Sequence, residues 1–353
     1  MLTTQEQIRY QRQLILPEIG VDGQLKLKAA KVLIIGAGGL GCPLVQYLAA
    51  AGIGYITIMD GDKVEESNLQ RQILYTSSDV GLFKATVASQ KVKAINPFVN
   101  VTPINEFITP ENALSIIEEY DIVVDGSDNF TTRYLVNDAC VIKNKPLVFG
   151  SIYKFEGQVS VFNFHDGPTY RCIFPEPLEE DDMPNCAEIG VVATLPGIIG
   201  TIQANEVIKM ITGQKEILSG KLLVIDITSM QFQLYHFKAN PLNKTITALH
   251  SELKHCIKKN YFIDLNTLLE LLGHKELQLI DVRDTDEHNK ENLGGLNIPI
   301  KKLKDHYREL NPEVITVLYC AVGNRSKIAM EFLLEKGFKE VYSLEKGIRG
   351  YKK

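Results

Sequence analysis

The run Lys31-Val-Leu-Ile-Ile35, followed at once by Gly36-Ala-Gly-Gly-Leu-Gly41, constrains the fold more than any other stretch of the chain. A continuous apolar run of this length suits a strand buried on both faces, as in a parallel sheet covered by helices. The glycines make a turn that opens a helix to Ala51, which Gly52 and Gly54 stop. Tyr55-Ile-Thr-Ile-Met59 supplies the next strand and closes a βαβ unit. Asp60 ends that strand roughly 20 residues beyond the turn, where a carboxylate accepts from ribose hydroxyls. Gly36, Gly38, Gly39 and Gly41 let backbone N–H groups and the helix N-terminus approach phosphate oxygens. These residues predict a nucleotide site, against the plainer reading of glycine turns without a ligand.

The alternation of strand and helix continues along the chain. Thr3-Thr-Gln-Glu6 is a capping-box pattern, which predicts a helix from residue 4 that carries Arg9 and Arg12 and stops near Pro17. Ala85, Ala88, Val92 and Ile95 step by three and four along a helix ended by Asn96-Pro97, and 99–104 is extended. Helix 111–120 leads into strand 121–125, helix 131–143 into strand 146–149, and 157–164 alternates like an antiparallel strand. The expected class is α/β, a Rossmann-like doubly wound sheet with an antiparallel extension. Residues 165–187 form a Pro- and acid-rich loop, helix-like residues run to Gly213, and strands at 221–227 and 231–237 complete a domain over 1–250. A linker at 251–260 precedes a smaller α/β domain over 261–353. Its pattern is helix 265–272, strands 277–282 and 314–319, helix 326–336 and strand 340–343.

A chain of 353 residues with 45% apolar and 23% charged content exceeds one core and fits two soluble domains. The net charge of −5 leaves no basic stripe to neutralise a nucleic-acid backbone, so direct nucleic-acid binding is not expected. The polar start Met1-Leu-Thr-Thr-Gln-Glu-Gln lacks a secretory pattern, which predicts a cytoplasmic protein. The longest apolar run, 189–202, contains Pro196 and falls short of the ~20 residues that span a bilayer, so no membrane segment is expected. Six cysteines (Cys42, Cys140, Cys172, Cys186, Cys256, Cys320) lie too far apart for a disulfide scaffold and are read singly as thiols. Cys42 and Cys140 sit in helical patterns where small apolar residues pack. The seven histidines show no ligand spacing.

A dinucleotide would not need the residues that come next. Asn68-Leu-Gln-Arg71 follows the second strand, and Lys84 opens a helix. Arg offers a bidentate fork and Lys a point charge for phosphate oxygens. Asp128, in Asp125-Gly-Ser-Asp-Asn129 at another strand's C-terminal end, suits Mg²⁺. Taken singly each is a solvated surface charge; together they describe a triphosphate site rather than the NAD site of an oxidoreductase.

Through Arg-Tyr-Gln-Arg12-Gln, Gly-Ala-Gly-Gly-Leu-Gly41, Ser-Asn68-Leu-Gln-Arg71-Gln and Asp-Gly-Ser-Asp128-Asn, residues 5–250 resemble the MoeB/ThiF group of the ubiquitin-activating enzyme superfamily. The resemblance implies that Asp60 binds ribose, that Arg12, Asn68, Arg71 and Lys84 hold the triphosphate of ATP, and that Asp128 positions Mg²⁺. It implies a homodimer in which Arg12 reaches the partner subunit's nucleotide. The implied substrate is a small ubiquitin-like sulfur-carrier protein ending in Gly-Gly, a tail slim enough to reach a buried α-phosphate. Molybdopterin synthesis, thiamine synthesis and tRNA thiolation all use carriers of this kind. The family often carries a zinc held by two C-x-x-C pairs. Here the first pair has become Thr169-Tyr-Arg-Cys172 and the second is absent from Asn240-Pro-Leu-Asn-Lys-Thr245, so no structural zinc is expected and packing should hold this region.

Cys186, in Met183-Pro-Asn-Cys-Ala-Glu-Ile-Gly190, precedes a helix, a placement that lowers a thiol's pKa. It matches the position of the family's acyl-accepting or disulfide-forming cysteine; the plainer reading is a small apolar helix-start residue. Cys320-Ala-Val-Gly-Asn-Arg325-Ser resembles the rhodanese active loop, and the likeness extends over 261–353. Such a loop aims successive N–H groups at one anion, with Gly323 in the turn and Arg325 adding a fixed charge, which favours a thiolate and then a persulfide on an outward-facing Cys320. Asp281-Val-Arg283 fits the same pattern, whereas Ala321 replaces a frequent Arg and Gly294-Gly295 the usual Pro-Gly. The expected reaction is adenylation of the carrier's C-terminal glycine, then sulfur transfer from Cys320 to give a thiocarboxylate. A cysteine desulfurase or thiosulfate would donate the sulfur. A docking module that passes sulfur without adenylation is the alternative from another class.

Overall fold

The computed structural model describes residues 1–175, 190–249, 261–272 and 277–351. The chain divides into two units, Met1–Lys254 and His255–Lys353.

The first unit opens with α1 (Thr4–Leu14), whose capping box forms as the sequence predicts: Glu6 N donates to Thr3 Oγ1, and Thr3 N to Glu6 Oε2. Helix α2 (Gly20–Ala29) carries no readable apolar stripe, because Leu27 is the one large apolar residue on its buried face. Gln24 fills the rest of that face. Its amide donates to Ala51 O at 2.9 Å and accepts from Gln13 at 2.7 Å, so burial costs it no hydrogen bond. Then follow β1 (Lys31–Ile35), α3 (Gly41–Ala51), β2 (Tyr55–Met59), α4 (Lys84–Ile95), β3 (Asn100–Ile104), α5 (Ala113–Ile117), β4 (Ile122–Asp125), α6 (Phe130–Ile142), β5 (Leu147–Tyr153), β6 (Glu156–Phe162), α7 (Thr194–Thr212), β7 (Lys221–Asp226) and β8 (Gln231–His236). Gly52 closes α3 at φ 87, a left-handed cap. The expected helix 111–120 shortens to the five residues of α5.

These strands form one sheet in the order β3-β2-β1-β4-β5-β6-β7-β8. Pairing is parallel from β3 to β5 and antiparallel beyond. Along β1, Val32 and Ile34 pack into a core with Leu44, Leu48 and Val92, while Leu33 and Ile35 pack into a second core with Val123, Leu135 and Val136. The unbroken apolar run therefore reports two covered faces. The apolar segment 189–202 enters α7, where Pro196 occupies the first turn and Leu195, Ile199 and Gly200 are buried. Among the described residues no helix is long and apolar enough to cross a membrane.

The second unit contains β9 (Phe262–Ile263), α8 (Leu265–Leu271), β10 (Leu277–Asp281), α9 (Thr285–Lys290), β11 (Leu296–Asn297), α10 (Ile300–His306), β12 (Ile315–Tyr319), α11 (Asn324–Glu335) and β13 (Val341–Leu344). Its sheet is parallel throughout, in the order β11-β10-β12-β13-β9. Sequence periodicity passes over α9, β11 and α10, since elements of two to seven residues are too short to show a period.

Candidate active sites

The C-terminal ends of β3, β2, β1 and β4 surround a cleft of about 450 Å³, within the range of small-ligand sites. The glycine loop forms its floor. Gly36 has φ 92, and a Cβ there would lie 2.7 Å from Gly126 O; a Cβ on Gly41 would lie 2.2 Å from Gly36 O. Gly36, Gly38 and Gly39 line the cleft, whereas Gly41 allows the close packing of loop against helix. Asp60 lines it too, and its two oxygens accept from Ala37 N at 2.7 Å and Asp62 N at 2.8 Å. Burial pushes this carboxyl above its usual range, opposed by the Lys84 charge and these two N–H groups.

Lys84 opens α4 with its side chain 8% exposed and Nζ 3.0 Å from Asp62 Oδ2. The Tyr75 hydroxyl, 2.7 Å from Ala37 O and 3.3 Å from Lys84 O, ties the glycine loop to the start of α4. Arg71 lines the cleft and donates to Ser67 O at 3.1 Å. Asp128, after β4, lines the cleft as well, and its carboxylate has no hydrogen-bond or ion-pair partner among the described residues. Two expected ligands lie elsewhere. Asn68 is buried in its own turn, accepting from Glu65 N and donating to Ser67 Oγ, and does not line the cleft. Arg12 borders a separate small cavity on α1, with Arg9 and Tyr47.

The sequence reading missed several neighbours. Gln72 Oε1, Ser127 Oγ and Arg133 Nε belong to cleft-lining residues and are buried without a hydrogen-bond partner, as are Asp125 Oδ2 and Gln203 Oε1. Gln203 donates to Asp125 O at 2.7 Å, so the latter pair lies at the end of β4, beside the loop that carries Asp128. Burial raises the Asp125 carboxyl, with Arg133 the opposing charge. Buried polar atoms left unpaired are costly, and their clustering marks a place built for a polar ligand. Gln72 directly follows Arg71, and Arg133 lies in the first turn of the helix after Asp128-Asn129, so motif adjacency was the available signal.

In the second unit Cys320 follows β12 and precedes α11. It does not face outward as expected: it is 1% exposed, because the loop curls around its sulfur. Gly323 N donates to Sγ at 3.1 Å, and Ser326 Oγ lies 3.5 Å away. Gly323, at φ 97, leaves no room for a Cβ beside Glu345 O. Burial alone would push the thiol up, but hydrogen bonds from the Ser326 hydroxyl and from the N–H groups of Ser326, Val322 and Gly323 outweigh it, and the pKa is lowered. Alkylation of Cys320, followed by mass spectrometry across pH, is expected to show a midpoint below that of an ordinary thiol. Ser326→Ala should move the midpoint upward; a midpoint unchanged by that substitution would contradict this account.

Arg325 does not give the loop an uncompensated charge. Its guanidinium forks onto Glu287 at 2.6 and 2.8 Å, with Asp284 at 3.9 Å, and holds the Glu287 carboxyl at about 2. The capping box that starts α9 at Asp284 presents Glu287 there. Arg283 is likewise committed to buried Asp281, which also meets His288 Nδ1 at 2.9 Å. Gly294 has φ 87, a backbone conformation closed to the proline of the usual Pro-Gly.

Cys186 and Cys256 lie outside the described residues. Cys42 and Cys140 are buried, as their helical patterns predict. Around Cys172 the sulfur receives hydrogen bonds from Thr169 N, Asn240 N and the Asn243 amide at 3.3 to 3.5 Å. Hydrogen bonds, beyond the packing expected from sequence, thus join the turn at Tyr170–Cys172 to that at Pro241–Lys244. One thiol encircled by N–H donors does not fit tetrahedral zinc, whose ligands must offer lone pairs. Elemental analysis should give far less than one zinc per chain, and a chelator should leave Tm unchanged. A stoichiometric metal whose removal lowers Tm would refute this.

Comparison with known proteins covers both units. The ThiF family model matches residues 10–245, and the Rhodanese-like domain model matches residues 264–353. The adenylyltransferase and sulfurtransferase MOCS3 of Culex quinquefasciatus is 40% identical over 365 residues, 94% of this chain and 83% of the relative. The sulfur carrier protein adenylyltransferase of Thermus thermophilus is 50% identical over 244 residues, 68% of this chain and 90% of the relative. The E. coli MccB structure solved with ATP superposes with a TM-score of 0.60 at 26% identity, covering 68% of this chain and 74% of that one. The chain therefore belongs to the ThiF family and joins a ThiF domain to a C-terminal rhodanese-like domain.

Proposed function

We propose that this protein uses ATP to adenylate the C-terminal glycine of a small ubiquitin-like sulfur-carrier protein, and that a Cys320 persulfide then converts the acyl-adenylate into a thiocarboxylate. The observation that carries the first half is the convergence of the glycine loop, Arg71, Lys84 and Asp128 on one cleft. A carboxylate attacks the α-phosphorus of ATP when the phosphates are neutralised and the reactants held in line, with pyrophosphate leaving. In this reading Lys84 and Arg71 take phosphate oxygens, and the glycine loop offers N–H groups to the same anion. Asp60 takes the ribose. Asp128 would hold Mg²⁺, since an exposed carboxylate without another partner is a hard oxygen ligand. Tyr153 and Lys154, at the tip of the β5–β6 hairpin, line the same cleft, and in this reading they border the extended tail.

The sulfur step belongs to Cys320. Its persulfide attacks the acyl carbonyl and expels AMP; a second thiol then cleaves the S–S bond, takes Cys320 into a disulfide and frees the thiocarboxylate. The family resemblance gives Cys186 the position of an acyl-accepting or disulfide-forming cysteine, and in the second of these roles it supplies that thiol. A cysteine desulfurase or thiosulfate charges Cys320. Arg12, on α1 and outside this chain's own cleft, supports a homodimer in which it reaches the partner subunit's nucleotide. The free thiol of Cys320 suits a reducing compartment, the cytoplasm.

The test is exchange of labelled pyrophosphate into ATP. Exchange should require a sulfur-carrier protein with an intact Gly-Gly tail. Exchange that ignores removal of the tail would overturn the assignment.

A further inference from the structure

Helix α1 is tied to two other helices by side chains that the chemistry above does not use. Tyr10 and Asn96 are both buried. The Tyr10 hydroxyl accepts from Asn96 Nδ2 at 2.8 Å, and the same amide donates to Ala49 O at 2.7 Å. Arg9 Nη1 donates to Ile95 O at 2.9 Å, and Gln13 Nε2 to Ala51 O at 3.0 Å. Gly52 makes room for this arrangement, since a Cβ there would lie 2.6 Å from the Tyr10 ring. All these contacts fall at the C-terminal ends of α3 and α4, the latter capped by Asn96 itself. At their other ends the same two helices meet the cleft: α3 opens out of the glycine loop and α4 opens at Lys84. Helices of this length run about 17 Å, so α1 sits well away from the cleft of its own chain.

Arg12 lies on α1 among the tied positions, between Tyr10 and Gln13. It is exposed, and its guanidinium has no hydrogen-bond or ion-pair partner among the described residues. An arginine whose backbone is anchored and whose fork is free is prepared for an anion outside its own chain. The anchor is specific, because one buried amide is shared between the Tyr10 hydroxyl and Ala49 O, and removing that hydroxyl leaves a buried N–H without its acceptor. We propose that Tyr10, Asn96 and Arg9 are positioning residues for Arg12. They latch α1 to the helices that bear the glycine loop and Lys84, and so present each chain's Arg12 to the nucleotide of the partner subunit. The proposal deepens the homodimer reading and rests on it.

Heterodimers of full-length chains, coexpressed with two different tags and purified through both, test it by carrier-dependent exchange of pyrophosphate into ATP. The double variant Arg9→Met/Tyr10→Phe severs both ties between α1 and the end of α4 while keeping the apolar bulk of each side chain. Its homodimers should exchange about tenfold more slowly than wild type, because small misplacements of a charge-stabilising group are costly in rate. Paired with an Asp128→Ala chain, the latch variant supplies the live cleft and its partner supplies a well-placed Arg12. Exchange should then rise to about half the wild-type rate, one live cleft of two. A merely structural role for the latch would give no such rise, since the live cleft belongs to the altered chain. Arg9→Met alone changes an exposed side chain and should show the same pattern at smaller amplitude, which keeps the test open if the double variant folds poorly. The proposal falls if latch homodimers exchange at the wild-type rate, or if pairing with Asp128→Ala makes them no faster. Arg12→Ala paired with Asp128→Ala is the control. If that heterodimer is no faster than either homodimer, the dimer reading itself is removed, and the latch with it.

Discussion

Carrier-dependent exchange of pyrophosphate into ATP is expected to fall by about 100-fold or more in Asp128→Ala and again in Lys84→Met, with the protein still folded. Groups that stabilise charge developing in a transition state are each worth about 10²–10³ in rate, because the site is fixed before the reaction and needs no reorganisation. In the proposed reading Lys84 is such a group: its stem is buried, it lines the cleft, and Tyr75 ties the backbone around it to the glycine loop. Methionine keeps the buried stem and removes the charge. Asp62 would lose its partner but is 57% exposed, so water takes over its solvation and stability should change little. Asp128 is exposed and without hydrogen-bond or ion-pair partners among the described residues, so its loss costs the fold even less. Exchange and melting temperature, measured on the same samples, separate the two effects. Exchange surviving either substitution at a normal rate would mean that this cleft is not where adenylation occurs.

The parts of the site that backbone geometry dictates were legible in the sequence. Glycines at 36 and 41 stand where a Cβ would collide with backbone, and the alternation of strand and helix around them fixed the parallel sheet. Residue type also announced the charges. Their direction was not announced, because a side chain's partner comes from another part of the chain. Asn68 turns into its own loop, and Arg325 spends its charge on Glu287, which sequence separates from it by two strands and a helix. Cys320 misled for a related reason. A loop at a helix N-terminus looks exposed from sequence, but a loop that aims N–H groups at a sulfur must close around it. Helix α2 stayed invisible because its buried face is filled by a hydrogen-bonded glutamine rather than by an apolar stripe.

Replacing Cys320 by alanine separates the chemistry of the two units. Wild-type protein incubated with thiosulfate or a cysteine desulfurase should gain one sulfur at Cys320, seen by mass spectrometry and removed by reductant. Cys320→Ala should lose that sulfur and, with it, thiocarboxylate formation, because no other described thiol sits in a loop of this kind: Cys42 and Cys140 are buried, and burial pushes Cys42 to about 12 and Cys140 higher still. Cys172 has a lowered pKa, but its donors bind it into a turn-to-turn joint. Pyrophosphate exchange should survive intact, since adenylation depends on charges in the first unit and not on this sulfur. The substitution exchanges one small buried side chain for another, so the fold should tolerate it. Cys186→Ala should also spare exchange while slowing the later transfer. A Cys320→Ala protein that still makes thiocarboxylate at the normal rate with the same donor would show that sulfur arrives by another route, and would leave the rhodanese-like unit as a docking appendage.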